Sequence, residues 1–260
     1  HHGNTNPKQI DLEILGKAWQ AVIDRHAILR TAFVWQGVDE MMQVVHKKVR
    51  LPIKILDWRH LFEKETLARL EELLQSERAK GFDLSTPPLV RLDLIRETEG
   101  RVRLLLNHHH AILDGWSVAL LLKEVLERYA ARTNLETLTA SPDRPYHDYL
   151  DWLKAQDLGA AEAFWRDELE GFTPSSITTG FKAPSTGNVQ RVEQAFTVPE
   201  ELAGTLRAFA RRHHLTLNTL FQGAWAIVLS NLNQREDVVF GVTLANRPPE
   251  LPDALTRIGL

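Results

Sequence analysis

Cysteine is missing altogether from this 260-residue chain. Its absence removes disulfides, thiolate metal sites and cysteine nucleophiles together, so any acid–base or nucleophilic chemistry falls to His, Ser, Asp, Glu, Lys or Tyr. A cytoplasmic location fits that absence. No apolar run is long enough to span a bilayer, and no signal peptide is expected. No large excess of either charge is present: the net charge of −3 gives no reason to expect nucleic acid or a membrane surface as partner. No repeat of solenoid period is visible. What is present is an ordinary globular composition, 43% hydrophobic and 25% charged, enough for one large or two smaller cores.

Strand and helix patterns intermix, which gives an α/β class. Leu12, Leu15, Trp19, Val22 and Ile23 recur at helical spacing, with Asp11 as the N-cap of a helix to about Asp24. A strand–turn–strand follows through Gly37 to Met42–Val45. A second helix is expected from Arg59 to Lys80, stopped by Gly81. Leu89–Ile95 and Arg101–Asn107 read as a hairpin. Val118, Leu121, Leu122, Val125, Leu126 and Tyr129 form the apolar stripe of another helix. Further helices fit Tyr146–Gln156, Ala160–Glu170, Pro199–Arg212 and Thr216–Asn231, the last burying Leu220, Ala224, Trp225 and Val228. Strands are expected near Arg191–Val198 and Val238–Leu244. Residues 173–189, rich in Thr, Ser, Pro and Gly, read as a linker between a lobe over 1–172 and a second lobe begun over 190–260.

The chemistry concentrates in Asn107-His108-His109-His110-Ala111-Ile112-Leu113-Asp114-Gly115-Trp116-Ser117. Histidine changes charge nearest neutral pH, and three of them sit where a strand gives way to a helix. If the strand persists, His108 and His110 share one face and His109 takes the other. Contiguous histidines do not converge on one ion and the His-x-x-x-His spacing is absent, so no metal site is expected. Asp114 has two readings, helix cap or holder of an arginine or histidine. Gly115 permits positive φ or a close backbone approach. Ser117 has no Gly-x-Ser-x-Gly elbow around it and reads as part of the helix N-terminus.

His109-His110-Ala111-Ile112-Leu113-Asp114-Gly115 matches the His-His-x-x-x-Asp-Gly signature of the condensation domains of nonribosomal peptide synthetases, which chloramphenicol acetyltransferase-like enzymes share. Arg25–Phe33 resembles the family's Arg-His-x-x-Leu-Arg-Thr-x-Phe string. Tyr146-His147-Asp148-Tyr149-Leu150-Asp151-Trp152 resembles its Tyr-x-Asp-Tyr-x-x-Trp segment. Phe82-Asp83-Leu84, Asp237–Gly241 and Asn246-Arg247-Pro248 are similar to strings that such domains carry in this order. The resemblance implies a two-lobed chloramphenicol acetyltransferase-like fold, a mixed sheet with flanking helices. A motif and strand before the first helix and the rest of the second lobe would be missing, leaving the chain incomplete at both ends.

By that resemblance the chain is an acyltransferase. It would join a donor acyl or peptidyl thioester to an acceptor aminoacyl thioester through an amide, with no covalent enzyme intermediate. The resemblance makes His110 the catalytic residue, as general base or as the group that positions the amine. His109, Asp114, Gly115, Arg30 and Arg25 would be its support, with Asp114 paired to an arginine of the Arg25–Phe33 segment, Arg30 favoured. No cofactor would be bound by the domain itself. The 4'-phosphopantetheine arms of upstream and downstream carrier domains would bring both substrates, beside an adjacent adenylation domain. The Asp114–Ser117 loop favours an L-configured donor. A non-catalytic docking module and a free-standing coenzyme A-dependent acyltransferase are the alternatives.

Overall fold

In the computed structural model, residues 10–131, 147–173, 195–245, 247–248, 250–251 and 253–259 are described. The first helix, α1, spans Leu12–Arg25, and the Asp11 carboxylate accepts from the Glu13 and Ile14 N–H groups as expected of an N-cap. Its apolar stripe, Leu12, Leu15, Ala18, Trp19, Val22 and Ile23, is buried throughout. Strands β1 (Thr31–Val34) and β2 (Met42–Val45) pair antiparallel around Gly37, whose φ of 72° suits glycine. Strand β3 (Ile53–Asp57) then leads into α2 (Glu63–Lys80). That helix begins four residues later than Arg59, which is held by the Asp57 carboxylate at 2.9 Å instead of entering the first turn.

Strands β4 (Val90–Thr98) and β5 (Arg101–His108) form the expected hairpin, and β3 joins β4 in parallel to give the order β3–β4–β5. The central β4 is buried along most of its length, with Val90, Leu92, Leu94 and Ile95 all at 1% exposure or less. Helix α3 (Gly115–Ala131) lies beside α1. Leu121 and Val125 of its stripe join α1, β4, Ile112 and Leu113 in one core, whereas Leu126 is exposed. Helix α4 spans His147–Lys154.

Two units divide the chain, residues 1–156 with 244–260, and residues 157–243. The second contains α5 (Leu158–Glu168), α6 (Glu200–Arg212) and α7 (Leu217–Asn233). Two expectations fail in it. Val238–Leu244 forms no strand, because its valines have no neighbouring strand among the described residues to pair with. Helix α7 buries only Leu229, while Ala224, Trp225 and Val228 are exposed, since among the described elements its main packing is on α6. Tyr146, residues 174–189, Asn246 and the beginning of the strand expected at Arg191–Val198 lie outside the described residues; residues 195–198 form no strand. No described helix is long and apolar enough to cross a membrane.

Candidate functional site

Strand β5 delivers the histidine run. It ends at His108, paired with Val90, and the chain then turns, with the His109 N–H donating to the Leu89 carbonyl at 3.0 Å and the Ile112 N–H to the His109 carbonyl at 3.2 Å. The alternation expected through His110 therefore stops one residue into the cluster. The turn is anchored by Ile112 and Leu113, both fully buried. His108 is half-buried, and its Nδ1 has no partner among the described residues. Burial pushes its imidazolium pKa down and the charges of His110 and His109 add to that, which outweighs the upward pull of the His109 backbone.

His109 and His110 are held in opposite tautomers. The Ala111 N–H donates to His109 Nδ1 at 3.1 Å, so a neutral His109 carries its proton on Nε2. Its ring stands edge-on to Phe82, centroids 6.3 Å apart. His110 Nδ1 lies 2.8 Å from the Leu113 carbonyl oxygen. A carbonyl only accepts, so Nδ1 is the protonated nitrogen and the lone pair of a neutral His110 is on Nε2. His110 is exposed, and Nε2 has no hydrogen-bond partner among the described residues. An imidazole fixed in this tautomer can take a proton from a group brought to Nε2.

Asp114 serves both roles left open by its sequence context. Its Oδ1 accepts from the Ser117 N–H at 2.7 Å, capping α3, and its carbonyl accepts from the Val118 N–H at 3.0 Å. Its carboxylate also holds an arginine, but not the one expected. Arg247 Nη2 donates to Oδ1 at 3.0 Å and Oδ2 at 3.2 Å, with the arginine side chain 6% exposed. Burial pushes the Asp114 carboxyl up, but the Ser117 hydroxyl and N–H and the Arg247 charge outweigh it and leave the net pKa lowered. Arg247 Nη1 reaches the Arg257 carbonyl at 2.9 Å, and Trp116 Nε1 donates to the Leu255 carbonyl at 2.8 Å. Arg247 and residues 253–259 are thus strapped onto the loop that carries His110.

The two arginines assigned to Asp114 work elsewhere. Arg30 Nη1 donates to the carbonyls of His46 and Lys47, at the end of β2, because the short helical turn Ala27–Arg30 aims its side chain at that strand. Arg25 donates to Glu124 on α3 at 2.8 Å, where His26 and Arg128 converge on the same carboxylate. Gly115 adopts neither positive φ nor a close approach: it is the first residue of α3, with open space where a Cβ would lie. Arg247 and the buried Ser117 are named in the sequence only as part of a family string and of a helix N-terminus; their convergence on Asp114 is what sequence reasoning missed. The signal for Arg247 was the Asn246-Arg247-Pro248 string itself, an arginine in a proline-rich loop where no strand or helix pattern accounts for it. In the Tyr146–Trp152 string, Asp148 accepts from Arg257 at 3.1 Å and Tyr149 stacks on Trp152 at 5.8 Å.

The His109-His110-Ala111-Ile112-Leu113-Asp114-Gly115 signature thus occupies the loop that joins β5 to a capped α3. The sequence profile described as "Condensation domain" matches residues 5–260. The chain belongs to that family. This condensation domain is 40% identical over 255 residues to a linear gramicidin synthase polypeptide of Brevibacillus parabrevis, an overlap of 97% of this chain and 5% of that protein. It is 34% identical over 253 residues to a plipastatin synthase polypeptide of Bacillus subtilis (strain 168), covering 97% of this chain and 10% of the other. The domain therefore spans a small fraction of the curated relatives it matches. Among solved structures it is similar to the EpoB NRPS cyclization-docking bidomain from Sorangium cellulosum, with a TM-score of 0.75 at 24% identity over 96% of this chain and 49% of that one. That likeness supports the expected α/β fold of the chloramphenicol acetyltransferase type. Condensation domains of nonribosomal peptide synthetases are amide-forming acyltransferases that work in modules with carrier and adenylation domains.

Proposed function

We propose that this condensation domain joins two carrier-bound thioesters through an amide in a cytoplasmic peptide synthetase, with His110 as its catalytic residue. Upstream and downstream carrier domains present the substrates on 4'-phosphopantetheine arms, and the domain itself binds no further cofactor. The nitrogen of the acceptor aminoacyl group attacks the donor thioester carbon. A C–N bond forms, His110 Nε2 takes the proton released from nitrogen, and collapse of the tetrahedral intermediate breaks the C–S bond. The departing thiolate takes that proton from His110, which returns the imidazole to its neutral form. Because the thioester is already activated, positioning the amine is a large part of the task and can supply roughly 7–11 kcal/mol at its upper limit.

The observation that carries this reading is the His110–Leu113 hydrogen bond, which leaves a basic nitrogen at the surface of a loop otherwise tied down. The test is product formation by the complete module with both carriers loaded. His110→Ala is expected to reduce the rate by about 10²–10⁴-fold, the usual contribution of a general base. Unchanged product formation would remove His110 from catalysis. Turnover of coenzyme A esters without turnover of carrier-bound thioesters would favour the free-standing acyltransferase instead.

A further inference from the structure

The Ser117 hydroxyl, wholly buried in the first turn of α3, accepts from two separate donors. A hydroxyl has two lone pairs and one proton. Arg247 Nη2 donates to it at 2.9 Å and the Gly259 N–H at 3.0 Å, which fills both lone pairs. Asp114 lies beside it, accepting from the Ser117 N–H at 2.7 Å, and Ser117 favours its charged form. We propose that Ser117 is a positioning residue for His110: it locks Arg247 and Gly259 to Asp114 and so fixes the peptide whose oxygen sets the imidazole.

The linkage is short and continuous. Leu113, whose carbonyl takes the His110 Nδ1 proton, directly precedes Asp114. Arg247 alone holds that aspartate loosely, because one nitrogen, Nη2, bridges both oxygens in place of the two-nitrogen fork that fixes an arginine–carboxylate plane. Ser117 gives the same Nη2 a third acceptor and adds the Gly259 amide as an independent anchor. Gly259 in turn has no freedom to shift into another residue's geometry. Its φ is +95°, and a Cβ there would meet Ile28 Cγ1 at 2.9 Å. Alanine at 117 would leave the Gly259 N–H without a partner and allow the Arg247–Asp114 pair to rotate, carrying the Leu113 carbonyl with it. His110 would then drift towards its Nε2-protonated form, which has no lone pair where the amine arrives.

This inference deepens the proposed role of His110, yet its first readout needs no turnover. The full chain, 15N-labelled at histidine, reports which ring nitrogen of His110 is protonated, with its signals identified by their loss in His110→Ala. The wild type is expected in the Nδ1-protonated form. Ser117→Ala is expected to lose most of that form, Gly259→Ala to move the same way from the other anchor, and Ser117→Thr, which keeps the hydroxyl, to retain it. A folded Ser117→Ala protein with the wild-type ring pattern overturns the proposal. Should Ser117→Ala not fold, an unshifted Gly259→Ala ring does so. In the complete module, kcat should fall by up to about a hundredfold in Ser117→Ala with KM little changed, the effect of a misplacement of about 1 Å. A wild-type module without condensation activity would sink the functional reading alone, and the ring spectra would still decide the positioning.

Discussion

Replacing Arg247 by methionine tests the strap over the His110 loop through stability alone. Methionine keeps an unbranched, flexible stem and deletes the guanidinium and its charge. The guanidinium nitrogen sits 3.0 Å from an Asp114 oxygen, and the two side chains are only 6% and 16% exposed. At an effective dielectric of about 20 the attraction at that distance is about 5 kcal/mol before desolvation is subtracted. Removing one partner of such a pair strands the other charge, at a cost of about 3–5 kcal/mol. The hydrogen bonds to Ser117 Oγ and the Arg257 carbonyl go with it. Against a usual domain stability of about 5–15 kcal/mol this is a large share, and it corresponds to a Tm lowered by roughly 6–20 °C. Urea unfolding of Arg247→Met, Asp114→Asn and the double variant would isolate the pair. The double variant should lose less than the sum of the singles by about 1–3 kcal/mol. A cost for Arg247→Met below about 1 kcal/mol, or strict additivity, would refute the reasoning.

Other outcomes follow from the core and its charges. Glu124, burdened by burial but held by His26, Arg128 and Arg25, has its pKa lowered from 4.5 to about 2. Its stabilisation is therefore complete above about pH 4.5 and is lost as the pH falls towards 2. Thermal unfolding across that window should show a smaller pH dependence in Glu124→Gln, together with a lower Tm at neutral pH; an unchanged slope counts against the network. Leu121→Ala, a truncation in the fully buried α1–α3 contact, should cost about 2–5 kcal/mol by urea unfolding. A loss under about 1 kcal/mol would mean that the site collapses around the gap.

Local patterns were legible where one element buries one face. The α1 stripe and its Asp11 cap, the β4–β5 hairpin and the start of α3 all follow from spacing that the core then satisfies. The place of His110 between a strand and a helix was legible, and its tautomer was not, since that depends on where the Leu113 carbonyl points. The partner of Asp114 was misread because the resemblance pointed to the Arg25–Phe33 string, whereas the true partner lies 133 residues away in a loop without periodicity. The face of α7 and the valine run at 238–244 have the pattern of buried elements, but burial needs a neighbour, and none among the described residues supplies it.

The parallel pairing of β3 with β4 has a consequence for how the sheet assembles. Strands β4 and β5 need only the Glu99–Gly100 turn to meet, while β3 reaches β4 only after α2 has looped back. By loop-closure entropy that longer circuit is on the order of 2–3 kcal/mol more costly. On a chain emerging from the ribosome, β3 and α2 appear first yet wait for the hairpin behind them. The hairpin, ending at His108, is then expected to serve as the template on which the earlier segments settle, with the strand that presents the histidines formed before β3 joins.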